Sequence, residues 1–190
     1  MTRRLVLSTL FLVAATPAFA HVGQHLGFSA ASGFAHPLMG LDHLAAMIAV
    51  GLWAAMVGGK RIWIWPAAFV VAMLIGGFIG HAGIELPQVE PIIALSVIVL
   101  GLLVATGIGA PVPVGAVLIA GFAIFHGHAH GAEAPAEGWA GYAVGFAAAT
   151  ALLHLVGIGV GLGLQRTMGV VPVRALGAAT AVLGVFILMQ

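Results

Sequence analysis

Six apolar runs dominate the chain, at residues 34–57, 62–82, 90–107, 111–128, 138–164 and 172–189. A helix needs roughly 20 such residues to cross a bilayer. Between the runs lie short breaks rich in glycine, proline and charge, among them Gly58-Gly59-Lys60-Arg61 and the segment from Gly83 to Glu90. Short connections make neighbouring helices antiparallel and the bundle compact. Only 6% of the 190 residues are charged, against about a quarter in a soluble domain. The expected fold class is therefore an all-α integral membrane protein with six transmembrane helices. It forms a single domain over residues 21–190, which leaves no room for a second, soluble one.

Residues 1–20 read as a cleaved signal peptide. Arg3 and Arg4 precede an apolar run of about 11 residues, Leu5 to Ala15, and Pro17 and Ala18-Phe19-Ala20 complete an A-x-A site. That run is too short to span the membrane. Cleavage after Ala20 makes His21 the new N-terminus, outside the cytoplasm. His21 and the nearby His25 then either capture a metal ion or belong to a disordered polar tail. With this end outside, Lys60, Arg61 and Arg166 fall in inner loops and Arg174 at the inner start of the last run, as the positive-inside rule requires. Glu85, Glu90, Glu133 and Glu137 fall in or beside outer loops, with Asp42 about two turns into the first run.

Several chemistries are excluded. Without cysteine there are no disulfides, thiolate metal sites, iron–sulfur clusters or cysteine nucleophiles. No basic stripe exists to bind nucleic acid. The phosphate-binding pattern G-x-x-x-x-G-K-[ST] is absent, so transport driven by this chain's own ATP hydrolysis is excluded. His-Glu-x-x-His is absent too, which argues against an intramembrane metallohydrolase, and the chain is read as no enzyme. Most of the histidines gather at the outer rim rather than at paired depths, unlike the axial ligands of a haem subunit.

The nine histidines carry what chemistry remains, because imidazole and carboxylate are costly in hydrocarbon and rarely lie there without a function. The first cluster reads His36-Pro37-Leu38-Met39-Gly40-Leu41-Asp42-His43. Pro37 suits the first helical position, and the helix would then carry Gly40, His43 and Met47 along one face. His36 falls close to that face if helical geometry reaches back to it. Asp42 either shares a divalent ion with His43 or orients His43 as a ligand. Met39 offers a thioether, a role packing usually displaces.

The second cluster reads Phe125-His126-Gly127-His128-Ala129-His130-Gly131-Ala132-Glu133. In an extended segment His126, His128 and His130 point the same way; on a helix His126 and His130 share a face, with Glu133 beside His130. Glu90 either caps its helix or enters the site. His81 reads as interfacial. His154, at midplane depth, is either a buried neutral histidine bonded to a neighbour or a second stop on an ion path. The small residues Gly76, Gly77, Gly80, Gly157, Gly159, Gly161 and Gly163 read as helix-packing positions, which serve a bundle or a homo-oligomer alike.

At these residues the chain resembles the HupE/UreJ family of bacterial nickel permeases. The resemblance runs through Gly33-Phe34-Ala35-His36-Pro37-Leu38-Met39-Gly40-Leu41-Asp42-His43-Leu44-Ala45-Ala46-Met47, Val89-Glu90-Pro91 and the second histidine cluster, and covers essentially the whole chain. It implies six transmembrane helices in the bacterial inner membrane, a periplasmic mature N-terminus and uptake of Ni²⁺ to supply hydrogenase or urease. It also implies roles in transport for His36, Asp42, His43, Glu90, His130 and Glu133. The His-x₅-Asp-His spacing is similar to the His-x₄-Asp-His signature of a separate nickel/cobalt transporter family, with one extra residue.

The expected partners are a transition-metal ion and the lipid bilayer, with Ni²⁺ as transported substrate and no organic cofactor. Imidazole also suits Co²⁺, Zn²⁺ and Cu²⁺, so a permease for one of these, or a metal-sensing or structural subunit, is the alternative.

Overall fold

The structure is a computed structural model and describes residues 30–134 and 137–190. The signal peptide, its cleavage site, His21 and His25 lie outside the described residues. Among the described residues the chain is helical and forms no strand. The helices are α1 (Ala30–Ala35), α2 (Leu41–Val57), α3 (Arg61–His81), α4 (Val89–Thr106), α5 (Val112–Glu133), α6 (Trp139–Met168) and α7 (Val170–Leu188), with a 3-10 turn, His36–Leu38, between α1 and α2. Helices α3 to α7 are each long and apolar enough to cross a membrane; α1, the turn and α2 together make a sixth candidate span, bent by 84°.

Sequence patterning and structure differ at that bend. No continuous helix starts at Pro37. Proline lacks the N–H that would extend the α1 ladder, and Pro37 instead sits buried inside the tight turn. Gly40 then adopts an extended conformation and α2 begins at Leu41. His36 and His43 thus lie on two different segments, and the bend folds the first back over the start of the second.

Helix α2 is the centre of the bundle, packing against α3, α4, α6 and α7. Ala46, Met47, Val50, Leu52, Trp53 and Ala54 on it are sealed from solvent. Backbones approach closely where side chains vanish. A Cβ on Gly127 would land on the Met73 carbonyl, and one on Gly131 on the Gly77 carbonyl, so these glycines lock α5 onto α3. Gly157 presses on the Ile48 carbonyl of α2 in the same way and Gly161 on the Ala55 side chain, whereas Gly159 and Gly163 meet nothing within 4 Å. Positions two apart face opposite sides of a helix, so only half of that glycine series packs.

The two ends of the bundle differ in chemistry. One gathers Asp42 at the start of α2, Glu90 at the start of α4 and Glu133 at the end of α5. At the other, Arg61 Nε donates to the Ala110 carbonyl at 2.9 Å and Arg174 Nη2 to the Thr106 carbonyl at 3.1 Å. There the indoles of Trp53 and Trp65 stack with centroids 4.0 Å apart. Their N–H groups donate to the carbonyls of Ile108 (2.8 Å) and Val112 (3.0 Å), tying α2 to the α4–α5 loop and α3 to the start of α5.

Candidate metal-transport site

The helix α5 continues through Glu133, a full turn past the run read from sequence, and this decides the geometry of the second cluster. At 100° per residue, His126, His130 and Glu133 line one face, and His128 points away from it. His128 Nε2 donates to the Ile84 carbonyl at 2.8 Å, on the α3–α4 connection. It is therefore set apart from the other two. All three imidazoles are buried rather than set in a solvated loop.

The bend before α2 brings the first cluster to that face. His36 meets the His130 ring edge-on at 4.5 Å between centroids, and His43 meets it at 4.1 Å. His43 also contacts His126 at 4.6 Å. The four rings form a continuous file, His36–His130–His43–His126. Glu133 closes it at the surface: its Oε2 lies 3.8 Å from His36 Nε2. Ligand atoms of His36, His130 and Glu133 all lie within 4.8 Å of one another, close enough to hold one metal ion.

Two neighbours fix which nitrogens are free. Asp42 Oδ1 accepts from the His43 backbone N–H at 2.7 Å and lies 2.8 Å from His43 Nδ1. A carboxylate only accepts, so Nδ1 holds the proton and Nε2 keeps its lone pair. Asp42 thus fixes the ring of His43 through one carboxylate oxygen. Gly40 makes the pair fit, since a Cβ there would come within 2.8 Å of Asp42 Oδ1.

On the other side, Ser96 Oγ donates to the Ile93 carbonyl at 2.6 Å, and its oxygen lies 2.8 Å from His126 Nε2. With the hydroxyl proton committed, Ser96 accepts from Nε2–H, and His126 Nδ1 is left bare. His43 Nε2, His126 Nδ1 and both nitrogens of His130 are buried with no hydrogen-bond partner among the described residues. Buried polar atoms left so cost about 1–3 kcal/mol each. Unpartnered imidazole nitrogens on touching rings are the donors that a borderline transition-metal ion takes up.

The remaining candidates fall elsewhere. Glu90 is exposed in the first turn of α4 and is not in the file. Met39 is exposed and Met47 is packed in the core. His81 stacks flat on Trp139 at 4.8 Å. His154 is buried with neither ring nitrogen partnered among the described residues, so the hydrogen-bonded neighbour expected for it is absent there. Sequence reading missed Ser96, whose only signal was a hydroxyl inside an apolar run. It also missed Phe69, whose ring lies 5.7 Å from His126 and 5.0 Å from His154.

Comparison with known proteins places the chain in a family. The family model described as HupE / UreJ protein matches residues 9–187. Protein HupE of Rhizobium leguminosarum bv. viciae is 49% identical over 173 residues, which cover 90% of each chain. No solved structure matches. Both comparisons span nearly the whole sequence, including both histidine clusters, and the chain belongs to the HupE/UreJ family.

Proposed function

We propose that this chain is a permease that moves Ni²⁺ from the periplasm into the cytoplasm without ATP, supplying hydrogenase or urease metallation. The observation that carries the reading is the file of imidazoles, of which His43, His126 and His130 are buried with bare nitrogens, held by Asp42 and Ser96 and opening through His36 at Glu133. Family membership supports nickel as the cargo. The positive-inside rule supports placing the histidine end at the periplasm.

In this mechanism Glu133, 68% exposed at its side chain, and His36 attract the hydrated cation. His130 then replaces a water ligand. A neutral imidazole offers one lone pair at a time, so His130 holds the ion through a single nitrogen and passes it from the His36 side to the His43 side by ligand exchange at that nitrogen, with no proton moved. His43 Nε2 and His126 Nδ1 receive it. Each hand-over exchanges one ligand for a similar one, which keeps any single position from becoming a trap. An inside-negative potential favours inflow by about 2.3 kcal/mol per charge per 100 mV, doubled for a dication.

The test is uptake of radiolabelled Ni²⁺ into proteoliposomes of the full chain, with Co²⁺, Zn²⁺ and Cu²⁺ as competitors. Saturable uptake that rises with an inside-negative potential and needs no ATP is expected. Uptake no greater than that of empty vesicles rejects the permease. Since imidazole suits all four ions, preferential uptake of a competitor would assign the same site to that metal.

A further inference from the structure

His154 stands apart from the file just described, and nothing in the hand-over above uses it. It lies midway along α6, about 22 Å from the Trp139 end at 1.5 Å per residue. The residue is 1% exposed, and both ring nitrogens are buried with no partner among the described residues. A polar ring so placed in a membrane helix is retained at a cost.

Its surroundings suit a soft cation. The Phe69 ring touches both His154 and His126, so a single ring separates the end of the file from this deeper imidazole. Thr150, one turn before His154 on α6, is buried and donates its hydroxyl to Met73 Sδ at 3.4 Å. Met73 lies one turn from Phe69 on α3, so phenyl, thioether and imidazole converge between α3 and α6. The five acidic residues of the chain, Asp42, Glu85, Glu90, Glu133 and Glu137, all lie at the other end of the path.

We propose that His154 is a second, deeper binding position for the transported divalent transition-metal ion, reached from His126 past the Phe69 ring. The inference rests on the permease reading above. The step is a ligand exchange: the ion leaves Nδ1 of His126 and takes a lone pair of neutral His154, with no proton or electron transferred. With no carboxylate to balance the dication, this position holds it briefly, as a transit point must.

The absence of cysteine gives a direct probe, because His154→Cys introduces a single thiol. Titrating that full-length variant with Co²⁺ is expected to produce a saturable near-ultraviolet thiolate-to-cobalt absorption that the parent chain lacks. His154→Leu is expected to lower maximal Ni²⁺ uptake about tenfold while leaving half-saturation and equilibrium binding near the parent values, the pattern of a step after capture. Co²⁺ bound by His154→Cys without the thiolate band overturns the proposal, as does full-rate uptake by His154→Leu. If His154→Leu fails to insert, the cysteine spectrum decides alone. A parent chain that neither binds nor transports metal removes the permease reading itself, and this position with it.

Discussion

Ser96 and His126 meet across two helices, with the serine oxygen 2.8 Å from Nε2 of the imidazole and its own proton committed to the Ile93 carbonyl. This contact leaves Nδ1 of His126 as the bare atom. Ser96→Ala should let the ring change tautomer and rotate. Partners behind a metal ligand are typically worth about 10–100-fold in affinity or activity, and a rise of that order in the Ni²⁺ concentration for half-maximal uptake is expected. Unchanged half-saturation would show that Ser96 does not set the tautomer.

Gly40 tests the companion pair. Its φ of −90° and ψ of 120° are open to any residue, so Gly40→Ala places no strain on the backbone itself. The added Cβ would come within 2.8 Å of Asp42 Oδ1 and 3.3 Å of His43 Nδ1. The variant should insert normally yet transport at least about tenfold more slowly, as expected for a disturbed ligand partner. Parent-like uptake would mean that the Asp42–His43 contact is dispensable.

Gly127 and Gly131 couple stability to the site. Their missing Cβ atoms face backbone carbonyls of α3, which cannot swing aside. Gly131→Ala should push α5 off α3 and lower thermal stability by about 1–3 kcal/mol, the usual range for overpacking. Because His130 precedes it, uptake should fall as well. Gly121→Ala, where nothing lies within 4 Å, is the control and should match the parent in both measurements.

At the far end, Trp65 is fully buried, stacked on Trp53 and bonded to the Val112 carbonyl. Trp65→Ala removes a large core side chain, which typically costs about 3–5 kcal/mol. Trp65→Phe keeps an aromatic ring and loses one hydrogen bond, for about 1 kcal/mol. Thermal unfolding in detergent should rank the parent above Trp65→Phe and that above Trp65→Ala.

The apolar runs alone sufficed for five of the helices, because membrane-spanning length and glycine- or charge-rich breaks are local signals. Three features depended on more than local pattern. The 84° bend arises from Pro37 and Gly40 acting together, whereas each alone is compatible with an unbroken helix start. The alternation of His126, His128 and His130 fits a strand-like segment as well as a helix, and only the continuation of α5 to Glu133 turns His128 away. Ser96 and Phe69 belong to the site through tertiary contact, which no spacing within their own helices encodes. The pairing of His36 and His43 around His130 is likewise a product of folding.

The most direct test of the imidazole file is X-ray absorption at the nickel edge on the purified full chain loaded with one equivalent of Ni²⁺. The expected spectrum shows nitrogen and oxygen neighbours with the outer-shell scattering of at least two imidazole rings, and His43→Ala and His130→Ala each lose part of that scattering. A shell made only of oxygen, or a spectrum unchanged in both variants, would contradict the claim that these bare ring nitrogens bind the ion.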